Sequence, residues 1–332
     1  TTRLVILGGG PAGNTCASVA ATLGADVTLI ERDIVGGAAH LWDCIPSKAM
    51  IATGGALSTI NHAAGMGLTD VSASLDFAAL RQRIQSIEER LERSNTGLLQ
   101  SQGVHLIQGT GRLVGPHEVV AETLEGPIEL HADVILLSTG SRPRIPAWAE
   151  VDGKRLLTTR DAYPPPDLPE HLVVVGSGVT GVEFVHMFSA FACEVTLIVS
   201  RQQVLPQKDP EVAAALEADF LDRGVHLLKG ARAVAAEVDD EGVTIQCDDG
   251  RSARGSHALL AIGSVPNSEG LGLEVAGVAA DGGYDAVQMR DVATQANVAT
   301  LRARGVAILG PATGDQACGE TGTGWIVQPA EV

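Results

Sequence analysis

Two stretches of this chain repeat one pattern, and the pattern leaves few folds open. The apolar strand Leu4-Val5-Ile6-Leu7 runs into Gly8-Gly9-Gly10-Pro11-Ala12-Gly13. An alanine-rich helix to about Leu23 follows, then a second apolar strand, Val27-Thr28-Leu29-Ile30, ending at Glu31. Further along, strand Leu172–Val175 leads into Gly176-Ser177-Gly178-Val179-Thr180-Gly181, then Glu183, a helix and strand Val195–Val199. In such a βαβ unit Gly8 permits a tight turn, Gly10 lets the backbone approach a pyrophosphate, and Gly13 allows the helix to pack closely on the strand. The pyrophosphate rests at the helix N-terminus, where free N–H groups and the helix dipole favour anions. Glu31 stands where an acid can accept hydrogen bonds from a ribose hydroxyl. Two such units in one chain imply two bound nucleotides.

The rest of the sequence fits an α/β protein of that kind. A chain of 332 residues suggests two domains, and 45% hydrophobic residues can supply a core to each. Glycine is abundant at 39 residues while aromatics are only 3%, which favours glycine-turn α/β architecture over a β-sandwich. A formal net charge of −17 repels phosphates, so nucleic acid and anionic membrane surfaces are not expected partners. No stretch of 18 apolar residues calls for a membrane span. No basic leader precedes the first strand, so a cytoplasmic location is expected. Cys16, Cys44, Cys193, Cys247 and Cys318 are scattered, with neither a disulfide framework nor zinc-ligand spacing, and no metal site is expected.

Between the two glycine loops, Phe77, Leu80, Ile84, Ile87, Leu91, Leu98 and Leu99 recur near helical spacing. They predict one long amphipathic helix over 75–102, with Asn95 to Gly97 the place where a break could fall. Strands are expected at Val104–Gln108, Arg112–Val114, Glu118–Glu122 and from Val134 into Ser138-Thr139-Gly140-Ser141. The run Tyr163-Pro164-Pro165-Pro166-Asp167-Leu168-Pro169 reads as a stiff linker and internal boundary. Asp209-Pro210-Glu211 reads as a helix start, with Gly224 as its stop. Strands are expected at Val225–Leu228 and Val243–Gln246, with Asp248-Asp249-Gly250 as a hairpin turn.

The segment Gly36-Gly37-Ala38-Ala39-His40-Leu41-Trp42-Asp43-Cys44-Ile45-Pro46-Ser47-Lys48 carries a resemblance. Together with the two glycine loops, Ser138-Thr139-Gly140 and Gly263-Ser264-Val265-Pro266-Asn267, it is similar to the flavoprotein disulfide reductases over residues 1–283. That family has two cysteines here, with four residues between them. This chain has Ala39 at the first place and Cys44 at the second, so no redox disulfide can form. It is most similar to the disulfide-lacking branch known as NAD(P)H:quinone reductases. The resemblance implies an α/β fold of two Rossmann-like dinucleotide-binding domains, three-layer ββα/βαβ, the second inserted in the first. The expected division is an FAD domain over 1–148, an NAD(P)H domain over 149–265, a return to the FAD domain over 266–283, and an atypical tail over 284–332.

It also implies residue roles. FAD would contact Gly8, Gly10, Pro11, Ala12, Gly13, Glu31, Arg32, Gly37, Ala38, Lys48, Gly111, Thr139, Gly140 and Gly263. NADPH or NADH would contact Gly176, Gly178, Val179, Thr180, Gly181, Glu183, Ser200 and Arg201. Val199 stands where NAD-specific relatives carry an acid, so a 2′-phosphate is tolerated, and Arg201 could pair with it. Lys48 would pair with Glu183 near flavin N5, with Cys44 against the flavin ring. The implied reaction passes hydride from NAD(P)H through flavin to a quinone-like acceptor. A nucleotide-binding redox sensor, a truncated or chimeric remnant without activity, and a dihydrolipoamide dehydrogenase-type assignment stay open beside it. The family usually forms homodimers through a C-terminal domain not recognisable here. Residues 285–332, with Ala317-Cys318-Gly319-Glu320, instead resemble the end of a phosphopantothenoylcysteine decarboxylase domain.

Overall fold

A computed structural model describes residues 1–61 and 63–277, and the backbone of 312–315 and 321–325. Its centre is a pair of parallel sheets, each covered by helices on one face and by a small antiparallel sheet on the other. The first unit begins with β1 (Arg3–Leu7), α1 (Pro11–Thr22) and β2 (Asp26–Glu31). A seven-residue π-helical turn, Ala38–Cys44, leads into α2 (Ile45–Asn61), followed by α3 (Phe77–Ser101) and β3 (His105–Gln108). Strands β4 (Thr110–Gly115), β5 (Glu118–Thr123) and β6 (Gly126–His131) form the antiparallel cover, and β7 (Val134–Leu137) returns to the main sheet. That sheet has the order β3-β2-β1-β7, all parallel.

The chain leaves this unit through β8 (Ser141–Pro143) and enters a second parallel sheet with β9 (Leu156–Thr158). There follow β10 (His171–Val175), α4 (Val179–Ala190), β11 (Glu194–Val199), α5 (Pro210–Asp222) and β12 (His226–Lys229). The antiparallel β13 (Ala233–Val238), β14 (Val243–Cys247) and β15 (Ser252–Gly255) precede β16 (His257–Leu260). The second main sheet has the order β12-β11-β10-β16-β9. Strand β17 (Ser264–Pro266) then pairs antiparallel with β8, so exit and return run side by side, and the second unit is inserted in the first. Thr139 Oγ1 donates to the Asn267 carbonyl at 2.7 Å and Asn267 Nδ2 to the Thr139 carbonyl at 2.8 Å, closing that junction.

In the first sheet β1 and β2, and in the second β10 and β11, flank a helix, and the neighbour on the other side of β1 or β10, β7 or β16, arrives from the far end of the unit. Strand order therefore reverses at β1 and at β10, and the glycine loops lie at the carboxyl ends of those strands, where open α/β sheets bind ligands.

One expectation holds and another is corrected. The helix over Phe77–Ser101 is continuous through Asn95–Gly97. A helical glycine costs about 1 kcal/mol, and burial of the Leu99 side chain, worth roughly 1.5–3 kcal/mol, outweighs it. The proline run is no linker, because β9 has joined the second sheet before it. Tyr163 is buried there and stacks on Phe184 with ring centroids 4.4 Å apart. One core then spans both units: Met50, Leu80 and Ile84 of the first pack with Phe184, Val185, Phe188 and Phe191 of the second. Helix α5 starts as expected, with the Asp209 carboxylate accepting from the Glu211 amide at 2.8 Å. The backbone segments Ala312–Asp315 and Thr321–Trp325 pair antiparallel, while Cys318 lies outside the described residues.

Candidate active site

The first glycine loop is shaped by close backbone packing. Gly8 sits at φ +105°, and a Cβ there would overlap the Ser138 carbonyl oxygen. Gly37, at φ +72°, lies so near Gly10 that a side chain on it would strike the Gly10 Cα. The Glu31 carboxylate ties this loop down: Oε2 accepts from the Gly9 amide at 2.6 Å and Oε1 from the Asp33 amide at 2.7 Å. Each oxygen keeps a lone pair for a ribose hydroxyl. Two cavities meet here. One, of about 350 Å3, runs past Gly10, Pro11, Ala12, Gly37, Ala38 and Gly140. The other, of about 280 Å3, is lined by Gly109, Gly111 and Leu271. Gly8, Glu31, Arg32 and Thr139 line both. Gly13 faces inward and serves packing, because a Cβ on it would overlap the Gly8 carbonyl.

The second unit repeats the arrangement. Gly176 has φ +109°, Gly178 caps α4, Val179 opens it, and Gly181 packs against the Gly176 carbonyl. A cavity of about 390 Å3 is lined by Gly176, Ser200, Arg201, Trp148 and Arg232. Arg232 was not singled out from the sequence, because only the fold brings the start of β13 beside the end of β11. Among the described residues no carboxylate lines this cavity.

Between the two units lies a fourth cavity, of about 200 Å3, where α2 meets α4. Lys48 Nζ donates to Glu183 Oε1 at 3.0 Å, the pairing expected from the sequence. The side chains are 62% and 32% exposed, so the pair adds at most about 1 kcal/mol to stability. Its weight is electrostatic, placing a cation and its counter-ion on the cavity wall beside Cys44, Thr180 and Gly263. Cys44 is an exposed free thiol, and its carbonyl accepts from Ser47 Oγ at 3.0 Å. Burial pushes the Tyr163 phenol up, with the Glu183 and Asp43 charges adding to the shift. Asp43, absent from the sequence-based candidates, has a carboxyl raised above the ordinary value by burial and partly held down by Arg160. Arg160 lies over the Trp42 ring at 4.7 Å.

The cavities at the two glycine loops therefore flank one shared junction between α2 and α4. The chain belongs to the pyridine nucleotide-disulphide oxidoreductase family, whose model matches residues 2–298. It is 43% identical over 289 residues to an NAD(P)H dehydrogenase (quinone) of Mycobacterium tuberculosis, covering 83% of this chain and 59% of that protein. It is 36% identical to a dihydrolipoyl dehydrogenase of Zymomonas mobilis, covering 86% of this chain and 62% of that one. The crystal structure of LpdA from Mycobacterium tuberculosis superposes with a TM-score of 0.83 at 37% identity, covering 95% of this chain and 76% of that one. The chain thus spans about three fifths of the length of the curated relatives it matches. The decarboxylase likeness of residues 285–332 gains no support from these comparisons, and the family match ends at residue 298.

The family's flavin and pyridine nucleotide fit the residues present. The first unit offers a glycine loop opening a helix, a carboxylate with free lone pairs, and joined cavities, one of which shares Asp43 with the cavity of the Lys48–Glu183 pair. The second offers a glycine loop and two guanidinium groups. Among the described residues no helix is long and apolar enough to cross a membrane.

Proposed function

We propose that the chain carries the flavin- and nicotinamide-binding part of an FAD-dependent NAD(P)H dehydrogenase that reduces a quinone-like acceptor without a redox disulfide. The Lys48–Glu183 pair at the junction of two nucleotide cradles, beside a cysteine with no sulfur partner, carries this reading. FAD, when bound, supplies the capacity to take hydride from the nicotinamide and pass it on. The protein's own residues set the conditions. The N-termini of α1 and α4 hold the two pyrophosphates, and Glu31 holds a ribose. Lys48 offsets negative charge that develops at the junction, and Glu183 keeps its ammonium in place. Position 39 is alanine, so Cys44 has no partner sulfur with which to form the redox disulfide that dithiol substrates such as lipoamide exchange with. The four described cysteines are free thiols, which suits a reducing, cytoplasmic setting.

Arg201 and Arg232 beside an acid-free cavity favour NADPH over NADH, since each can offer charge-assisted hydrogen bonds to a 2′-phosphate. Arg201→Ala should raise the KM for NADPH on the order of tenfold and leave that for NADH little changed. A variant whose NADPH preference is unaltered excludes that role.

The function is tested by the visible spectrum of the purified protein. Flavin absorption that bleaches with anaerobic NADPH and returns with a quinone, but not with lipoamide, is the expected result. A colourless preparation that takes up no FAD, or brisk lipoamide turnover, removes the assignment.

A further inference from the structure

The proton count of quinone reduction leaves one proton to be found. Hydride from NAD(P)H brings two electrons and one proton, and a quinone needs two of each to become a hydroquinone. The acceptor oxygen must draw the second proton from the protein or from water.

Asp43 stands where that proton is needed. Of the residues lining the cavity beside the first glycine loop and the cavity of the Lys48–Glu183 pair, Asp43 alone lines both. It sits on the wide π-helical turn Ala38–Cys44, directly before Cys44. Its Oδ1 is buried and has no hydrogen-bond partner. A buried carboxyl oxygen in a cavity wall with no protein partner needs a proton, a ligand or a cation to satisfy it. The nearby cation is Arg160, whose guanidinium is committed to the Trp42 face and to the Ser141 carbonyl, at 3.4 Å.

We propose that Asp43 is the acid of this site, giving its proton to the acceptor oxygen as the acceptor takes up hydride. The proposal rests on the function inferred above. The Asp43 Oδ–H bond breaks and an O–H bond forms on the quinone oxygen. The carboxylate left behind is stabilised by Arg160 and recovers a proton from water. Desolvation supports this by keeping the carboxyl protonated to higher pH than an exposed aspartate, with Arg160 opposing in part.

The other groups around the junction act differently. Lys48 and Glu183 neutralise each other, and the buried Tyr163 phenol holds its proton too tightly to release it readily. Glu31, Arg32 and Asp33 line the far end of the wider cavity, with Glu31 bonded to backbone. Cys44 is the remaining thiol at the junction, and it lines only the smaller cavity.

The test uses the FAD-loaded protein and its isosteric variant Asp43→Asn, with NADPH and a soluble benzoquinone, over a range of pH. Expected are a kcat about 10²-fold lower for the variant, a KM for quinone nearly unmoved, and loss of the alkaline fall in kcat that the wild type shows. Asp43→Glu should restore part of the rate. Infrared spectra of the resting protein give a readout independent of turnover. A protonated-carboxyl band that titrates with the same midpoint as kcat, and that Asp43→Asn lacks, supports the proposal. A wild type that reduces quinones while Asp43→Asn keeps its rate and pH profile overturns the acid alone. A wild type that bleaches with NADPH yet passes nothing to quinones overturns the function and the acid with it.

Discussion

Glu183 illustrates how a half-exposed ion pair serves chemistry better than stability. The carboxylate contributes little to folding, but it fixes the Lys48 ammonium at one place on the cavity wall. Glu183→Gln keeps size and hydrogen bonding while removing the charge. It should slow flavin bleaching by NADPH about tenfold, some 1.4 kcal/mol of barrier, with a melting temperature close to wild type. Stopped-flow absorbance and thermal melts measure the two effects. The sequence names Lys48 and Glu183 by their motifs, 135 positions apart, and the fold brings them within 3.0 Å. It does not name Asp43, Arg160 or Arg232. An aspartate between a tryptophan and a cysteine carries no signal of its own, and what singles it out is an oxygen left without a partner, a property of packing.

At the scale of elements, legibility followed periodicity and turn chemistry. Helix α1 and strands β1 and β2 were readable because glycine loop, apolar runs and acid all agree. Helix α5 was readable because aspartate and proline mark its start. Strands β6, β13 and β15 were not singled out. The β6 sequence Gly126-Pro-Ile-Glu-Leu-His131 opens on glycine and proline and is mostly exposed, so nothing in it alternates strongly. The proline run misled because stiffness suggests a linker, whereas Tyr163 is anchored by its stack on Phe184.

Helix α3 also carries an unfavourable charge. Burial, with Glu89 beside it, pushes the Glu88 carboxyl up to about 7. An acid raised in the folded state binds its proton more tightly there than in the unfolded chain. Stability is therefore lost as pH rises from the ordinary glutamate range, about 4.3, towards 7. Glu88→Gln should melt higher than wild type at pH 8 and nearly the same at pH 4, and melts at both check it.

For the whole molecule, the shared core makes the two units one cooperative body. Met50 of α2 is fully buried among side chains of the second unit. Met50→Ala should cost about 2–5 kcal/mol and shift a single unfolding transition, seen alike by tryptophan fluorescence and far-ultraviolet circular dichroism. Two separated transitions would show that the units unfold independently. That cooperativity keeps the four cavities in fixed register, so the distance between the cradles is a property of the core. The Glu31 clamp has a consequence of its own. With one carboxylate bonded to both the Gly9 and Asp33 amides, the shape of the first cradle is set by the protein's own hydrogen bonds. Little disorder is left to lose on binding, so the nucleotide can leave and be replaced without the loop having to refold.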